Sequence, residues 1–97
     1  MTSFEERIIE CIDRGMAPLG RSCTRAILWH IEKNSRMKLS DIPSKPEMFV
    51  EALEDILGPG AITVERMIVK QVNSEFGIVG MATSLEEAIA RARKVSE

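Results

Sequence analysis

The chain has 97 residues, of which 44% are hydrophobic and 29% are charged, and its formal net charge is −2. This size and composition predict one globular domain and exclude an intrinsically disordered chain. The slightly acidic net charge provides no overall attraction to nucleic acids or acidic membranes, and no apolar run approaches the ~20 residues that span a bilayer.

The chain opens with a capped, amphipathic helix. Ser3 and Glu6 form a capping box, in which each side chain satisfies a free backbone amide at the helix start. The apolar residues that follow recur on one face, which predicts a helix with one buried stripe up to Arg14. We expect this helix to stop at Gly15, before a short break over residues 16–20 that contains a proline.

The second and third helices are separated by a longer connection. A helix is predicted over residues 21–34, and residues 35–45 are expected to be polar and irregular. Ser44 is expected to cap the third helix, with Glu47 completing a second capping box. The third helix ends at Leu57, where a Gly-Pro-Gly turn follows.

A fourth helix is predicted from Ala61 to Phe76, with Gly77 as its left-handed C-terminal cap. The β-branched stretch 64–72 is similar to a strand, but the length of the whole segment favours a helix.

The final helix is predicted from Thr83 or Ser84 to Val95, where a capping pattern precedes a narrow apolar stripe. The five segments predict an all-α fold, a compact five-helix bundle-like domain over the whole chain. Its core is expected within residues 3–77, with the last helix, residues 84–96, as an addition.

The third and fourth helices are more apolar around their circumference than one buried face requires. At ~100° per residue, the apolar residues of the fourth helix cover roughly 220° and those of the third roughly 200°. Either one helix is central and enclosed by the others, or part of this surface meets another protein. We expect self-association as a homodimer through the third or fourth helix. The residues expected at the interface are Trp29, Met48, Phe49, Met67 and Val69.

His30 is the only histidine of the chain. On a helix it lines up with Cys23 and Ile27, so we interpret it as a core residue; an enzyme with His30 as general base is the alternative. Cys23 lies two turns away, ~10 Å along the axis, which is too far for a catalytic pair. Cys11 and Cys23 are both expected to be reduced and buried, and the sequence predicts no metal site and no cofactor.

Charge is unevenly distributed along the chain. Residues 21–45 contain six basic and two acidic residues, whereas residues 46–77 contain six acidic and two basic ones. These segments could attract each other within the fold or between subunits. The basic segment also allows an alternative function as a nucleic-acid-associated factor. The residues that would contact the nucleic acid are Arg21, Arg25, Lys33, Arg36 and Lys38.

Trp29 projects away from the predicted apolar stripe of the second helix, beside Arg25 and Lys33. Such a tryptophan is typical of binding hot spots, and it can equally pack under the segment 35–45.

Several short motifs resemble, in their order, a small helical domain of archaeal proteins. The motifs are Leu19-Gly20, residues 26–32, Ile42-Pro43 with residues 46–49, residues 57–61, Val64-Glu65 with Ile68-Val69, and residues 76–78. They cover about residues 19–78 and concern packing and turns. In that family the domain stands alone or is attached to signal-transduction chains as an output module. The resemblance implies a domain with no known chemistry and carries no active-site residue across. A regulatory or signalling output role fits the setting of that family and is part of our expectation.

The sequence therefore predicts a non-catalytic helical protein–protein interaction module that acts as a homodimer. The charged beginning of the chain does not fit a signal peptide, so we expect a cytoplasmic location. A different protein partner is possible, and no membrane contact is expected.

Overall fold

The computed structural model describes residues 3–80, 82 and 84–96, and every regular element in this part of the chain is helical. The α-helices are α1 (Phe4–Met16), α2 (Arg21–Ser35), α3 (Pro46–Leu57), α4 (Gly60–Phe76) and α5 (Leu85–Ser96). Two short 3₁₀ helices, Ala17–Leu19 and Leu39–Ser44, connect α1 to α2 and α2 to α3. The predicted all-α, five-helix fold is confirmed, and the stretch 64–72 is helical.

Three of the predicted helix caps are confirmed. The Ser3 hydroxyl accepts a hydrogen bond from the Glu6 amide at 3.2 Å, as an N-terminal cap of α1. The Glu6 carboxylate accepts from the Ser3 hydroxyl at 3.2 Å and not from a backbone amide as the capping box predicts. The Ser84 hydroxyl accepts from the Glu87 amide at 3.1 Å before α5, whereas Thr83 lies outside the described residues. Gly77 closes α4 with φ of 62°, a left-handed conformation that glycine adopts without strain.

The connection between α2 and α3 is more ordered than predicted, and Ser44 does not cap α3. The Ser44 hydroxyl donates to the Asp41 carbonyl at 3.1 Å, because residues up to Ser44 belong to the 3₁₀ helix Leu39–Ser44. Lys45 precedes α3 and makes no capping hydrogen bond through its side chain. Three side chains of the connection are buried and anchor it to the core: Met37, Ile42 and Pro43.

Helix α4 is the central helix of the domain, because α1, α3 and α5 all pack against it. Its buried side chains are Ala61, Val64, Ile68, Val69, Val72 and Phe76. The remaining exposed face is mostly polar and includes Arg66 and Lys70. Enclosure by three neighbours therefore accounts for most of the wide apolar arc of α4, and Ile62, at 54% exposure, is its exception.

Gly15 lies inside α1 and does not end it as predicted, since the helix continues to Met16. The residue is buried where α1 crosses α4. A Cβ atom at this position would lie only 2.6 Å from the Cα atom of Ile68. The glycine therefore permits the close approach of the two helices. In the sequence alone, a glycine with this packing role cannot be distinguished from a glycine that ends a helix.

A polar seam fixes α1 against the C-terminal end of α4. Arg7 donates to the Glu75 carboxylate at 3.1 Å, and Arg14 donates to the same carboxylate at 3.2 Å. These hydrogen bonds hold the pKa of Glu75 below its ordinary value. The Arg7 guanidinium also lies 4.1 Å from the centre of the Phe76 ring. Ion pairs that remain partly accessible to solvent stabilise only modestly, and these mainly orient the helices.

Helix α5 packs on α3 and α4 within the same chain. It buries Leu85, Ala88, Ile89 and Ala92. The Leu85 amide at its start donates to the Glu65 carboxylate of α4 at 2.9 Å. The last helix thus contributes one layer of side chains to the common core.

Candidate interaction surface

Helix α2 buries one narrow side and exposes the opposite side. Its buried residues are Thr24, Ile27 and Ile31. At ~100° per residue, Trp29 points away from this stripe, and its side chain is 55% exposed. Trp29 is therefore a large apolar side chain with more than half of its surface in water, and on the described surface only Val79 and Val95 are more exposed among the large apolar residues.

Polar groups and a shallow cleft surround the Trp29 ring. The Lys33 ammonium lies 5.1 Å from the ring centre, and the His30 ring meets Trp29 edge-on with centres 5.4 Å apart. On the other side, a cleft of about 260 Å³ separates α2 from the connection to α3. The residues lining the cleft are Arg25, Leu28, Trp29, Ile31, Glu32, Met37, Leu39 and Ile42.

Trp29 thus partly fulfils both placements that the sequence allowed, an exposed position and packing against the segment 35–45. It lines the cleft formed with the 35–45 segment, yet more than half of its surface remains exposed. We name the exposed face of α2 around Trp29, with Arg25, Lys33 and the Leu39 side of the cleft, the Trp29 surface.

His30 and Cys23 do not lie in the apolar stripe of α2, so the prediction that they are core residues is wrong. Both are exposed, because the buried stripe of α2 consists of Thr24, Ile27 and Ile31. Burial of Thr24 is possible because its hydroxyl donates to the Met16 carbonyl at 3.0 Å. His30 instead borders a small cavity between α2 and α3, of about 80 Å³, opposite Asp55.

The two cysteines differ in environment, since Cys11 is buried and only Cys23 is exposed. Burial raises the pKa of the Cys11 thiol to about 11, and the nearby Glu75 carboxylate adds to this shift. The Cys11 thiol also donates to the Gln71 carbonyl at 3.6 Å. Because thiolates are the reactive species, the two sites should differ strongly in reactivity.

We expect one thiol per folded chain to react rapidly with a thiol-specific reagent near pH 8, and the second only after denaturation. Mass spectrometry of the modified peptides should place the fast reaction at Cys23. Cys23→Ser should abolish the fast phase, whereas Cys11→Ser should leave it. A fast phase that survives in Cys23→Ser would show that Cys11 is accessible.

Helix α3 carries an acidic outer face with two exposed apolar residues. Glu51, Glu54 and Asp55 are exposed, as predicted. On the same helix, Met48 is 42% exposed and Ile56 is 37% exposed. The large apolar arc of α3 is therefore only partly covered within one chain.

Two of the residues predicted at an interface belong instead to the core. Phe49 on α3 is fully buried and Val69 on α4 is nearly so, because both point at neighbouring helices of the same chain. Met67 is half-buried. Of the five predicted interface residues, Trp29 and Met48 are the ones that a partner could reach directly.

The predicted segregation of charge persists on the folded surface. The five basic residues Arg21, Arg25, Lys33, Arg36 and Lys38 are all exposed. The ion pairs found among the described residues involve other cations, namely Arg7, Arg14 and Arg91. The cations of α2 and its C-terminal end are therefore available to an acidic partner.

The acidic side extends beyond α3 to the beginning of α5. A cleft of about 220 Å³ is lined by Glu47, Glu51, Glu65 and Glu86 together with less polar residues. A hydrogen bond between the carboxyl groups of Glu86 and Glu47 raises the pKa of Glu86. The raised pKa indicates that the carboxyl groups of Glu47 and Glu86 lie close together on the acidic side of the domain.

Fold and surface together define a small all-helical domain with a basic, tryptophan-centred helix beside an acidic one. Among residues 3–80, 82 and 84–96, no three His, Cys, Asp or Glu side chains are grouped so that they could hold a metal ion. In the same ranges, no helix is both long and apolar enough to cross a bilayer. No family model, no curated protein and no solved structure matches this chain. The resemblance to the archaeal domain family therefore stays an expectation.

Proposed function

We propose that this chain is a non-catalytic helical protein–protein interaction module that self-associates as a homodimer through the Trp29 surface. The observation that carries the proposal is the 55% exposure of Trp29 at the centre of the outer face of α2. Removal of apolar surface from water stabilises an interface by about 25 cal/mol per Å². Tryptophan and arginine are also enriched among the residues that dominate binding energy.

A regulatory or signalling output role in the cytoplasm completes this proposal. It rests on the resemblance of residues 19–78 to the archaeal domain family, in which such domains are attached to signalling chains. An exposed tryptophan flanked by cations fits that role.

Trp29→Ala is expected to weaken self-association by about 30-fold, which corresponds to the ~2 kcal/mol typical of an interface hot spot. Sedimentation equilibrium should show the wild-type mass rising from 10.8 kDa toward twice that value with concentration. The fluorescence of the single tryptophan should shift to shorter wavelength over the same range. The variant should reach the same average mass only at about 30-fold higher concentration.

Ile62→Ala is the matched control, because Ile62 is similarly exposed at 54% but lies on α4. This variant should associate like the wild type. A wild-type chain that remains monomeric at the highest concentration would contradict the proposed homodimer.

A second candidate, direct nucleic-acid binding, is favoured by the five exposed basic residues of α2 and its C-terminal end. The acidic face of the adjacent α3 counts against it, since a phosphate backbone would be repelled there. Duplex binding that weakens steeply with salt would favour this candidate over self-association.

A further inference from the structure

We infer that the Trp29 surface binds the acidic face of α3 on a second copy, so that α2 of each protomer packs against α3 of its partner. This inference rests on the proposed function and specifies which faces meet.

The charges of the two helices are complementary. Arg25 and Lys33 lie one turn before and one turn after Trp29, and both are exposed. Glu51, Glu54 and Asp55 are exposed on α3. Pairing α2 with α2 would oppose cations, and pairing α3 with α3 would oppose carboxylates, which costs free energy when the charges lose water. Pairing α2 with α3 brings opposite charges together.

The exposed apolar side chains are arranged to match. Trp29 is flanked by cations on α2. At ~100° per residue, Met48 shares a side of α3 with Glu51 and Asp55, so it is flanked by carboxylates. Ile56 adds a second exposed apolar side chain on α3. Each helix therefore offers an apolar centre bordered mainly by charges of one sign, and Glu32 in the cleft beside Trp29 is the exception on α2.

The adjacency of α2 and α3 allows both contacts to form at once. His30 of α2 and Ala52, Asp55 and Ile56 of α3 line the small cavity between the two helices. A two-fold axis along this seam places each α2 over the partner's α3, so the same contact occurs twice, as in a closed symmetric dimer.

The size of this face predicts a weak dimer. The 15 residues of α2 and the 12 of α3 give helices of about 22 and 18 Å, which lie side by side at roughly 10 Å. The projected area is then about 400 Å² per protomer, in the range of weak, transient interfaces. Association is therefore expected at micromolar concentrations or above.

Complementary charge reversal tests the inference. One variant carries Arg25→Glu and Lys33→Glu on α2, and the other carries Glu51→Lys and Asp55→Lys on α3. Each variant alone should associate about tenfold or more weakly than the wild type, because its own faces then carry the same sign. An equimolar mixture should form a one-to-one heterodimer, since both contacts regain opposite charges. Sedimentation equilibrium over about 1 to 500 µM covers the expected range.

A matched control reverses two exposed cations one turn apart on α4, Arg66→Glu and Lys70→Glu. This variant should associate like the wild type. Circular dichroism of every variant should show unchanged helix content, because all substituted side chains are exposed.

The outcomes separate the two proposals. If the wild type never dimerises, the proposed homodimer fails. If it dimerises but the α3 variant still associates with itself, or the mixture of folded variants fails to associate, the α2–α3 pairing is overturned while the homodimer stands.

Discussion

Replacing Gly15 by alanine is expected to lower the free energy of unfolding by about 3 kcal/mol, the upper end of overpacking costs in protein cores. The added Cβ would lie 2.6 Å from the Cα of Ile68, and it would also approach the Ile68 amide nitrogen at 2.9 Å. Backbone atoms cannot move aside as the end of a flexible side chain can. Helices α1 and α4 would have to separate, which would open the contacts between them.

The sign of this effect is informative because alanine ordinarily favours a helix over glycine by up to ~1 kcal/mol. Gly60→Ala provides the control. Gly60 begins α4, and the nearest neighbour of an added Cβ there is the Leu57 side chain at 3.8 Å. We expect this variant to be neutral or slightly more stable in urea denaturation. Equal stability of the two variants would show that α1 does not approach α4 as closely as described.

Local signals in the sequence were sufficient to predict most of the helices. Ser3 and Gly77 each act within one helical turn, so their roles can be read without knowledge of neighbouring helices. The long segment 61–76 was correctly predicted as helical despite its β-branched residues. Ser44 misled because the same hydroxyl can bond a different backbone group when a 3₁₀ helix precedes it.

The placement of the candidate surface could be predicted only in part, because it depends on contacts between distant residues. Trp29 was correctly placed outside the apolar stripe of α2. The orientation of His30 was missed, since it depends on burial of Thr24 through the Met16 carbonyl, a contact for which hydrophobic patterning gives no signal. The packing role of Gly15 likewise depends on its contact with Ile68, 53 residues later in the chain, and could not be predicted from the local sequence.

The wide apolar arcs of α3 and α4 allow two explanations, enclosure within the domain or contact with another protein. The fold supports enclosure for α4 and leaves part of the α3 arc exposed. Most of the arc of α4 is covered because α4 is central. The arc of α3 is divided between Phe49, which faces the core, and Met48, which faces solvent. The sequence predicts both neighbouring residues at an interface. Periodicity alone does not separate them, because either side of a wide apolar arc can be covered by helices of the same chain or by a partner.

Phe49→Ala is expected to lower the free energy of unfolding by about 3–5 kcal/mol, as for other phenylalanines fully enclosed in a core. Phe49 is 0% exposed on the inner face of α3, so its removal leaves a cavity that the surrounding helices can fill only in part. For a domain of this size, the loss corresponds to a thermal midpoint lower by roughly 15–25 °C. Thermal unfolding followed by circular dichroism measures it.

Met48→Ala separates the core role from the proposed interface role on adjacent residues. Met48 is 42% exposed, so its substitution should change the free energy of unfolding by no more than about 0.5 kcal/mol. Under the proposed pairing of α2 with α3, it should nevertheless weaken self-association. A large loss of stability in Met48→Ala, or a small one in Phe49→Ala, would mean that α3 is rotated relative to the core. Both the enclosed phenylalanine and the exposed acidic face depend on that single orientation.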